Sequence, residues 1–445
     1  MTAASPRVLP GTGAASGILE TLAFFRDPAF ALRRFERHGT VFATRLLGQP
    51  LVFIRGQQAI ADLLADPAAV EGWWPASVRV LLGSRSLANR NGADHRARRR
   101  VVGQLFAAAA LRRYSQPITA LVDELTAELA AARGPVALAE RLRRFAFTVI
   151  ATVVLGLEGQ DREALFADFE IWTKGLFSLP LALPGSPFAR ALAARARLLQ
   201  RLAGVLRRAQ AQAAAGEPLA AGGLDLLAGG LDEAGLPLAD DDVVEQLLLL
   251  LFAGYETTAS SLSCLMLALL QHPDAEAWLR QELAALPWPP PPAQATSAYE
   301  PARAPRLDAV VQEVMRLTPP VGGFFRRTTA GLVLDGVAVP AGVVVQVALT
   351  AHNRHGGDDL ECFRPSRHLH GAGPLALLPF GGGERVCLGK ALAELEIRLL
   401  AVGLLQRLQL QLVPDQNLDL QVIPSPTPRD GLLVRSRMAA PPAAL

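Results

Sequence analysis

The segment Phe380-Gly-Gly-Gly-Glu-Arg-Val-Cys387-Leu-Gly389 constrains this chain more than any other stretch. Gly381, Gly382 and Gly383 let the backbone pass close to something flat or bulky, where a side chain would clash. Cys387 ends that loop and stands directly before an apolar helical pattern, Ala391, Leu392, Leu395, Leu399 and Leu400. A thiolate near a helix N-terminus has its pKa lowered by the exposed N–H groups. Arg385, two residues earlier, can neutralise a nearby anion. One thiolate, one arginine and a glycine loop suit a haem iron held by cysteine, with the arginine on a haem propionate. A free cysteine in an ordinary loop is the simpler reading of Cys387 alone, but not of the ten residues together.

The segment resembles the haem-binding signature of the cytochrome P450 monooxygenases, Phe-x-x-Gly-x-Arg-x-Cys-x-Gly, and matches every fixed position: Phe380, Gly383, Arg385, Cys387 and Gly389. The resemblance implies haem b as cofactor, Cys387 as axial ligand to its iron, and a mainly α single domain, 1–445, with small β-sheets. It also implies that the haem lies between a long central helix and the Cys-bearing loop.

Composition is compatible with that reading. A chain of 445 residues with 51% hydrophobic and 19% charged residues can bury a large core, and +3 is too small a net charge to call for nucleic acid. Three cysteines, Cys264, Cys362 and Cys387, argue against a disulfide framework and fit a reducing cytoplasm. Residues 1–17 are rich in Ala, Pro, Gly and Ser, read as a flexible N-terminal segment, and lack the continuous apolar core of a signal peptide or transmembrane anchor. The expectation is a soluble, bacterial-type cytoplasmic protein that touches a membrane surface at most transiently.

Most of the chain carries helical spacing: from Ile118 onward, Phe145–Leu155, Arg195–Gln212 and Glu276–Leu286. Val41–Val52 reads as a hairpin turning at Gly48, Gln49 and Pro50, and Leu332–Val339 and Val343–Val347 are strand candidates. Trp288–Pro305 reads as an irregular connector. The longest helix starts near Asp240-Asp-Asp242, acids favourable to the helix dipole, and stops at His272-Pro273. Glu245, Glu256 and several hydroxyls make it too polar for a membrane span, so it reads as a buried central helix.

The middle of that helix, Ala253-Gly-Tyr-Glu-Thr-Thr258, puts an acid and two hydroxyls where apolar residues belong. One reading has the threonines bonded back to i−4 carbonyls and Glu256 in a structural pair. The other is a proton relay. The resemblance supports the relay: it makes this the oxygen-binding segment, with Glu256 and Thr257 as the catalytic acid and alcohol, and with Ala253 and Gly254 beside the cofactor. On that reading Gly254 leaves room for dioxygen.

Glu313 and Arg316, at i and i+3, share a helix face, and alone would be a weak solvated pair. The family carries Glu-x-x-Arg completed by a later arginine in a Phe-x-Pro-x-Arg context, which Arg367 matches. The role implied is a brace beneath the thiolate loop. The run His95-Arg-Ala-Arg-Arg-Arg100 has too few arginines and no interleaved aromatics for nucleic acid. In the resemblance, His95 and Arg99 reach the haem propionates with Arg326, Arg327 being the adjacent alternative. Arg96, Arg98 and Arg100 read as a solvated basic face and, with Lys390, as docking charges for an acidic partner.

The function implied is haem-thiolate monooxygenation, with dioxygen as co-substrate and electrons from a separate ferredoxin- or flavodoxin-type donor. A peroxide-dependent peroxygenase or isomerase and a non-catalytic haem gas sensor are the rivals, and the Glu256–Thr257 pair argues against both. Trp73, Trp74, Phe252, Ala253, Val321, Phe324 and Ile423-Pro424 are expected to line an apolar distal pocket. The apolar stretch Leu176–Pro184 is either a buried loop or an entrance for lipophilic compounds. Trp73-Trp-Pro75, Gly83–Leu87 and Pro320–Phe325 look most like the branch of cyanobacterial and animal retinoic-acid hydroxylases. The substrate expected is therefore a retinoid, terpenoid or fatty-acid-like chain.

Overall fold

The computed structural model describes residues 5–13, 17–27, 29–157, 159–215, 223–231, 235–369 and 377–439. The helices are α1 Gly17–Arg26, α2 Phe30–His38, α3 Gln57–Ala65, α4 Ala76–Leu82, α5 Gly92–Gly103, α6 Ala108–Ala131, α7 Leu138–Val153, α8 Gly159–Leu176, α9 Pro187–Ala214, α10 Leu224–Ala228, α11 Asp240–Gln271, α12 Pro273–Leu283, α13 Pro305–Leu317, α14 Leu349–His352 and α15 Lys390–Arg407. The strands are β1 Val41–Leu46, β2 Gln49–Ile54, β3 Val70–Gly72, β4 Val136–Ala137, β5 Gly323–Thr328, β6 Leu332–Leu334, β7 Val337–Val339, β8 Val344–Ala348, β9 Leu408–Leu412, β10 Leu420–Gln421, β11 Thr427–Pro428 and β12 Leu433–Met438.

Packing divides the chain into two compact units. The first takes the described residues up to Trp74, Val321–Phe363, and the loop that ends at Cys387. Its centre is a five-stranded sheet in the order β1-β2-β8-β5-β3, with β2 and β8 parallel and the other pairs antiparallel. Two apolar clusters cover it. Ile54, Leu63, Val345 and Val347 belong to one, and Phe35, Phe42, Phe53 and Val344 to the other. The β1–β2 turn is Leu47-Gly48, both at positive φ, so it falls one residue earlier than the sequence suggests. Pro50 is inside β2, opposite Arg45, and the β8 ladder starts only at Leu51, so its missing N–H costs no bond. The expected strand Leu332–Val339 is two strands, β6 and β7, folded at Asp335-Gly336. Residues 7–12 run along this unit: Arg7 N–H donates to Gly336 O at 2.8 Å and Ala43 N–H to Pro10 O at 2.7 Å.

The second unit is mainly helical, with a three-stranded sheet β4-β12-β9 and the pair β10–β11. Helix α11 is its axis and packs against α7, α9 and α13. It is long and apolar enough to cross a membrane, yet 72% of its apolar window is buried inside the protein. Its bounds are those the acidic start and His272-Pro273 predict. Helix α6 begins ten residues before Ile118 and keeps Pro117 in its interior. Helix α9 begins at Pro187, where Ser186 Oγ accepts from Ala189 N–H, an N-cap with proline in the first turn.

Candidate active site

In the first unit, the glycine loop is closed by its own backbone. Cys387 N–H donates to Phe380 O at 2.8 Å, Gly381 N–H to Leu378 O at 2.9 Å, and Val386 N–H to Gly383 O at 3.1 Å. Gly381 and Gly383 adopt φ of +72° and +68°, which L side chains rarely tolerate. A Cβ on Gly382 would sit 2.8 Å from Leu64 Cδ1. Cys387 itself is exposed, three residues ahead of Lys390, where α15 begins.

Beside the loop stands a buried arginine. Arg326 on β5 is 7% exposed, donates from Nη2 to Gly382 O at 3.1 Å, and lies over the Phe324 ring at 4.8 Å. Burial, with the charge of Arg385 added, pushes its guanidinium down to about 10. Its neighbour Arg327 faces the other way, towards Glu71 at 3.8 Å. Arg385 lies where a Cβ on Gly72 would be, 2.2 Å from its Cζ, so glycine at that point of β3 makes its place. Two guanidiniums gathered around a glycine-lined loop suit an anionic group carried on a flat ligand, and the carboxylates of haem are such groups. The residues present fit haem.

In the second unit, His95 is buried and Arg99 half-buried on one face of α5. Arg98 does not belong to a solvated face, as its place in the basic run suggests. It is 3% exposed and paired with Asp242 at 2.9 Å, an aspartate that also binds Arg90 at 2.7 Å. Arg96 and Arg100 remain exposed. Gly389 packs near Phe106, whose Cε1 would be 3.5 Å from an added Cβ.

Helix α11 presents Ala253 exposed, Gly254 and Thr257 half-buried, and Glu256 buried. Gly254 also has a packing reason that the sequence does not show. A Cβ there would meet Ile150 of α7 at 3.1 Å, so the glycine lets two helices approach. Thr257 Oγ1 donates to Ala253 O at 2.7 Å, the back-bond that a helix-interior threonine makes on its own. Glu256 Oε2 accepts from Arg143 Nη2 at 2.8 Å, while its Oε1 is buried with no hydrogen-bond partner among the described residues. Burial pushes the Glu256 carboxyl above the usual range, against the opposing pull of Arg143. Arg143 Nε also donates to Tyr255 Oη at 3.1 Å, and Tyr255 Oη donates to Glu170 Oε1. The contacts of Arg143, Tyr255 and Glu170 with one another and with Glu256 have no local signal in the sequence, since a basic pair in a helix and an aromatic on a core face are common.

Glu313 and Arg316 are both fully buried, at 2.8 Å, and Arg367 Nε reaches Glu313 Oε1 at 3.0 Å. His368 Nε2 joins them at 2.8 Å from Glu313 Oε2, and Arg364 N–H donates to Oε1 at 2.9 Å. His368 went unnoticed, although its adjacency to Arg367 is its signal. Of the expected pocket residues, Trp73 packs edge-on to Phe325 at 5.4 Å, Phe252 edge-on to Trp172 at 5.8 Å, and Val321 and Ile423 are exposed.

Residues 26–435 match the family model for cytochrome P450. A Synechocystis sp. protein assigned as cytochrome P450 120 is 37% identical over 436 residues, covering 96% of each chain. Human cytochrome P450 26C1 is 34% identical over 435 residues, covering 91% of this chain and 83% of that one. The solved structure of retinoic acid bound cyanobacterial CYP120A1 aligns with a TM-score of 0.88 at 36% identity, covering 98% of this chain and all of the other. With the Cys387 loop, the guanidinium pair and the acid–alcohol helix in hand, these matches settle the family: the chain belongs to the cytochrome P450 family and is a haem-thiolate monooxygenase.

Proposed function

We propose that this monooxygenase hydroxylates an unactivated or allylic C–H bond of a lipophilic small molecule, a retinoid before a terpenoid or a fatty-acid-like chain. The observation that carries this is the connector after α8. Phe177, Leu179, Leu181 and Leu183 are 45%, 60%, 54% and 63% exposed. A loop of that composition in water loses the free energy of hiding about 25 cal/mol per Å² of apolar surface, so it favours apolar compounds and membrane surfaces as neighbours. The names of the similar proteins agree, since one solved relative holds retinoic acid.

Haem, when bound, supplies the oxygen chemistry. Cys387 provides the thiolate. Arg326 and Arg385, beside the Cys387 loop, would hold a propionate; His95 and Arg99 on α5 are the propionate partners that the resemblance implies. Glu256 carries the proton: its carboxyl is held by Oε2 on Arg143, and Oε1 is free to hand a proton on. The Thr257 hydroxyl spends its hydrogen on Ala253 O, which leaves its lone pairs to accept and relay. Electrons come from a separate ferredoxin- or flavodoxin-type donor that docks on exposed charges such as Arg96, Arg100 and Lys390. The paucity of cysteines suits a cytoplasmic location.

The test is to titrate retinoic acid, long-chain fatty acids and small polar aromatics into the holoenzyme while following the haem spin state. Retinoic acid and fatty acids should shift it at the lowest concentrations. A preference for the polar aromatics overturns the lipophilic reading. Turnover is then measured with NAD(P)H plus carriers and with peroxide alone, and peroxide as the sole competent oxidant overturns the monooxygenase route.

A further inference from the structure

We propose that Arg143, Tyr255 and Glu170 are positioning residues that hold Glu256 by one carboxylate oxygen and leave the other free to pass a proton. This rests on the reading of Glu256 as the proton-carrying acid and adds the device that sets its orientation and charge. Three helices contribute: Arg143 stands on α7, Glu170 on α8, and Tyr255 and Glu256 on α11.

The geometry makes Arg143 a shared donor. Its Nη2 meets Glu256 Oε2 at 2.8 Å, its Nε meets Tyr255 Oη at 3.1 Å, and its Cζ lies 5.2 Å from the Tyr255 ring centroid. Tyr255 is fully buried and boxed by Phe147 and Phe169, with centroids at 6.2 and 5.1 Å, so its hydroxyl has a fixed place. It accepts from Arg143 and donates to Glu170 Oε1. The guanidinium fork is thereby fixed in plane from one side, and Glu256 receives a single donor from it. A planar guanidinium offers two parallel donors to a carboxylate when nothing else claims them. Here Tyr255 claims Nε, so the Nε–Nη2 edge cannot grip Glu256 with two donors; the carboxylate takes Nη2 alone, and Oε1 is left without a partner among the described residues. A buried, unpartnered carboxylate oxygen is costly, and its retention has a reason if that oxygen works.

The charges oppose one another around Glu256. Burial raises its proton affinity, Arg143 lowers it, and Glu170 raises it again. Neutralising Arg143 must therefore raise the pH at which Glu256 ionises, and neutralising Glu170 must lower it. A merely structural cluster of the same geometry shares these opposite shifts but predicts no link to proton delivery, so the shifts test the clamp and the coupling of product to electrons tests its purpose.

The test follows the Glu256 carboxyl directly. Infrared spectra of the holoenzyme are recorded against pH, and the protonated-carboxyl band of Glu256 is identified by its loss in Glu256→Gln. Arg143→Gln should keep that band to a pH about one unit or more higher, the size expected for removal of an adjacent opposite charge. Glu170→Gln, which retains an acceptor for Tyr255, should make it disappear at lower pH. Tyr255→Phe frees Nε and should lower product per reducing equivalent several-fold while haem and substrate binding persist. Should Arg143→Gln fail to fold, Arg143→Lys, which keeps the charge but not the fork, and Glu170→Gln carry the comparison. An unmoved band in folded Arg143→Gln and Glu170→Gln overturns the inference. Unchanged coupling in Glu256→Gln instead overturns the assignment of Glu256 as the acid, and the band shifts still report on the clamp separately.

Discussion

Glu313 and Arg316 face each other at 2.8 Å, one turn apart in α13, and neither side chain is exposed at all. Two charges taken wholly out of water are expensive unless every polar atom is met. Glu313 meets that condition: Oε1 takes Arg367 Nε and Arg364 N–H, and Oε2 takes Arg316 Nε and His368 Nε2. The segment Arg364–His368, which follows β8 in the chain, is thus tied to α13 by one carboxylate. In a P450 this is bracing rather than chemistry.

The brace has a pH signature. Burial alone would raise the Glu313 carboxyl, but hydrogen bonds from Arg316, His368 and Arg364 N–H outweigh it and take it from 4.5 down to about 2. A depressed carboxylate contributes stability that is complete above its unfolded pKa and vanishes as pH falls through the folded one. Urea melts should show that contribution intact at pH 6 and declining between about pH 4.5 and 2. Glu313→Gln leaves Arg316 buried without its counter-charge and should cost about 3 to 5 kcal/mol at pH 7, and its melts should lack the decline. A variant as stable as the parent at pH 7 contradicts the brace.

Cys387 is the only cysteine in a glycine loop. The reduced protein with carbon monoxide should give the red-shifted Soret band of a thiolate-ligated haem, and Cys387→Ser should abolish it. Cys264 is buried in α11, where burial pushes its thiol up to about 11, and Cys362 lies outside any such loop, so their serine variants should keep the band. Retention of the band in Cys387→Ser reassigns the ligand.

What the sequence made legible follows from how local each signal is. The Phe380–Gly389 loop is a contiguous backbone requirement, and the positive φ of Gly381 and Gly383 shows why glycine had to stand there. Helix α11 was readable because its ends are chemical: three acids and a His-Pro stop. Arg98 was misread because four arginines within five residues cannot be sorted by spacing alone when a distant partner, Asp242, buries one of them. The packing reason for Gly254 was hidden in the same way: Ile150, over a hundred positions away, stands where its Cβ would go. Pro117 displaced the predicted start of α6, since propensity argues against proline within a helix and only packing overrides it. The clamp on Glu256 joins residues 143, 170, 255 and 256, a set that no local pattern connects.

Thr257→Ala should leave haem and substrate binding nearly intact, because the hydroxyl's only bond within the described residues is to Ala253 O in its own helix. Proton delivery should suffer instead. General acid–base steps contribute roughly 100- to 10,000-fold, so reducing equivalents should be diverted to peroxide as product falls. Thr257→Ser restores the hydroxyl and should recover most of the coupling. The measurement is product and peroxide per NAD(P)H consumed, and an unchanged ratio in Thr257→Ala removes this residue from the relay.

Gly72→Ala tests the anion cradle without touching a charged residue. Gly72 sits opposite Arg326 in the β3–β5 pairing, and a Cβ there would lie 2.2 Å from Arg385 Cζ and 2.4 Å from its Nη1. The obstruction is the end of a flexible side chain, so the sheet can persist while Arg385 swings away. The haem-free protein should melt within a few degrees of the parent. Haem affinity should fall, because a charge-assisted hydrogen bond to a propionate is worth about 1.5 to 3 kcal/mol, or roughly ten- to a hundredfold in the dissociation constant. Arg326, relieved of the charge of Arg385, should keep its own contact with Gly382 O, so the loop stays formed and the thiolate band of the residual holoenzyme is unchanged. Competition for haem with a haem-binding apoprotein measures the loss. Equal haem affinity in Gly72→Ala and parent would show that Arg385 holds no propionate, and the anion would then rest on Arg326 without it.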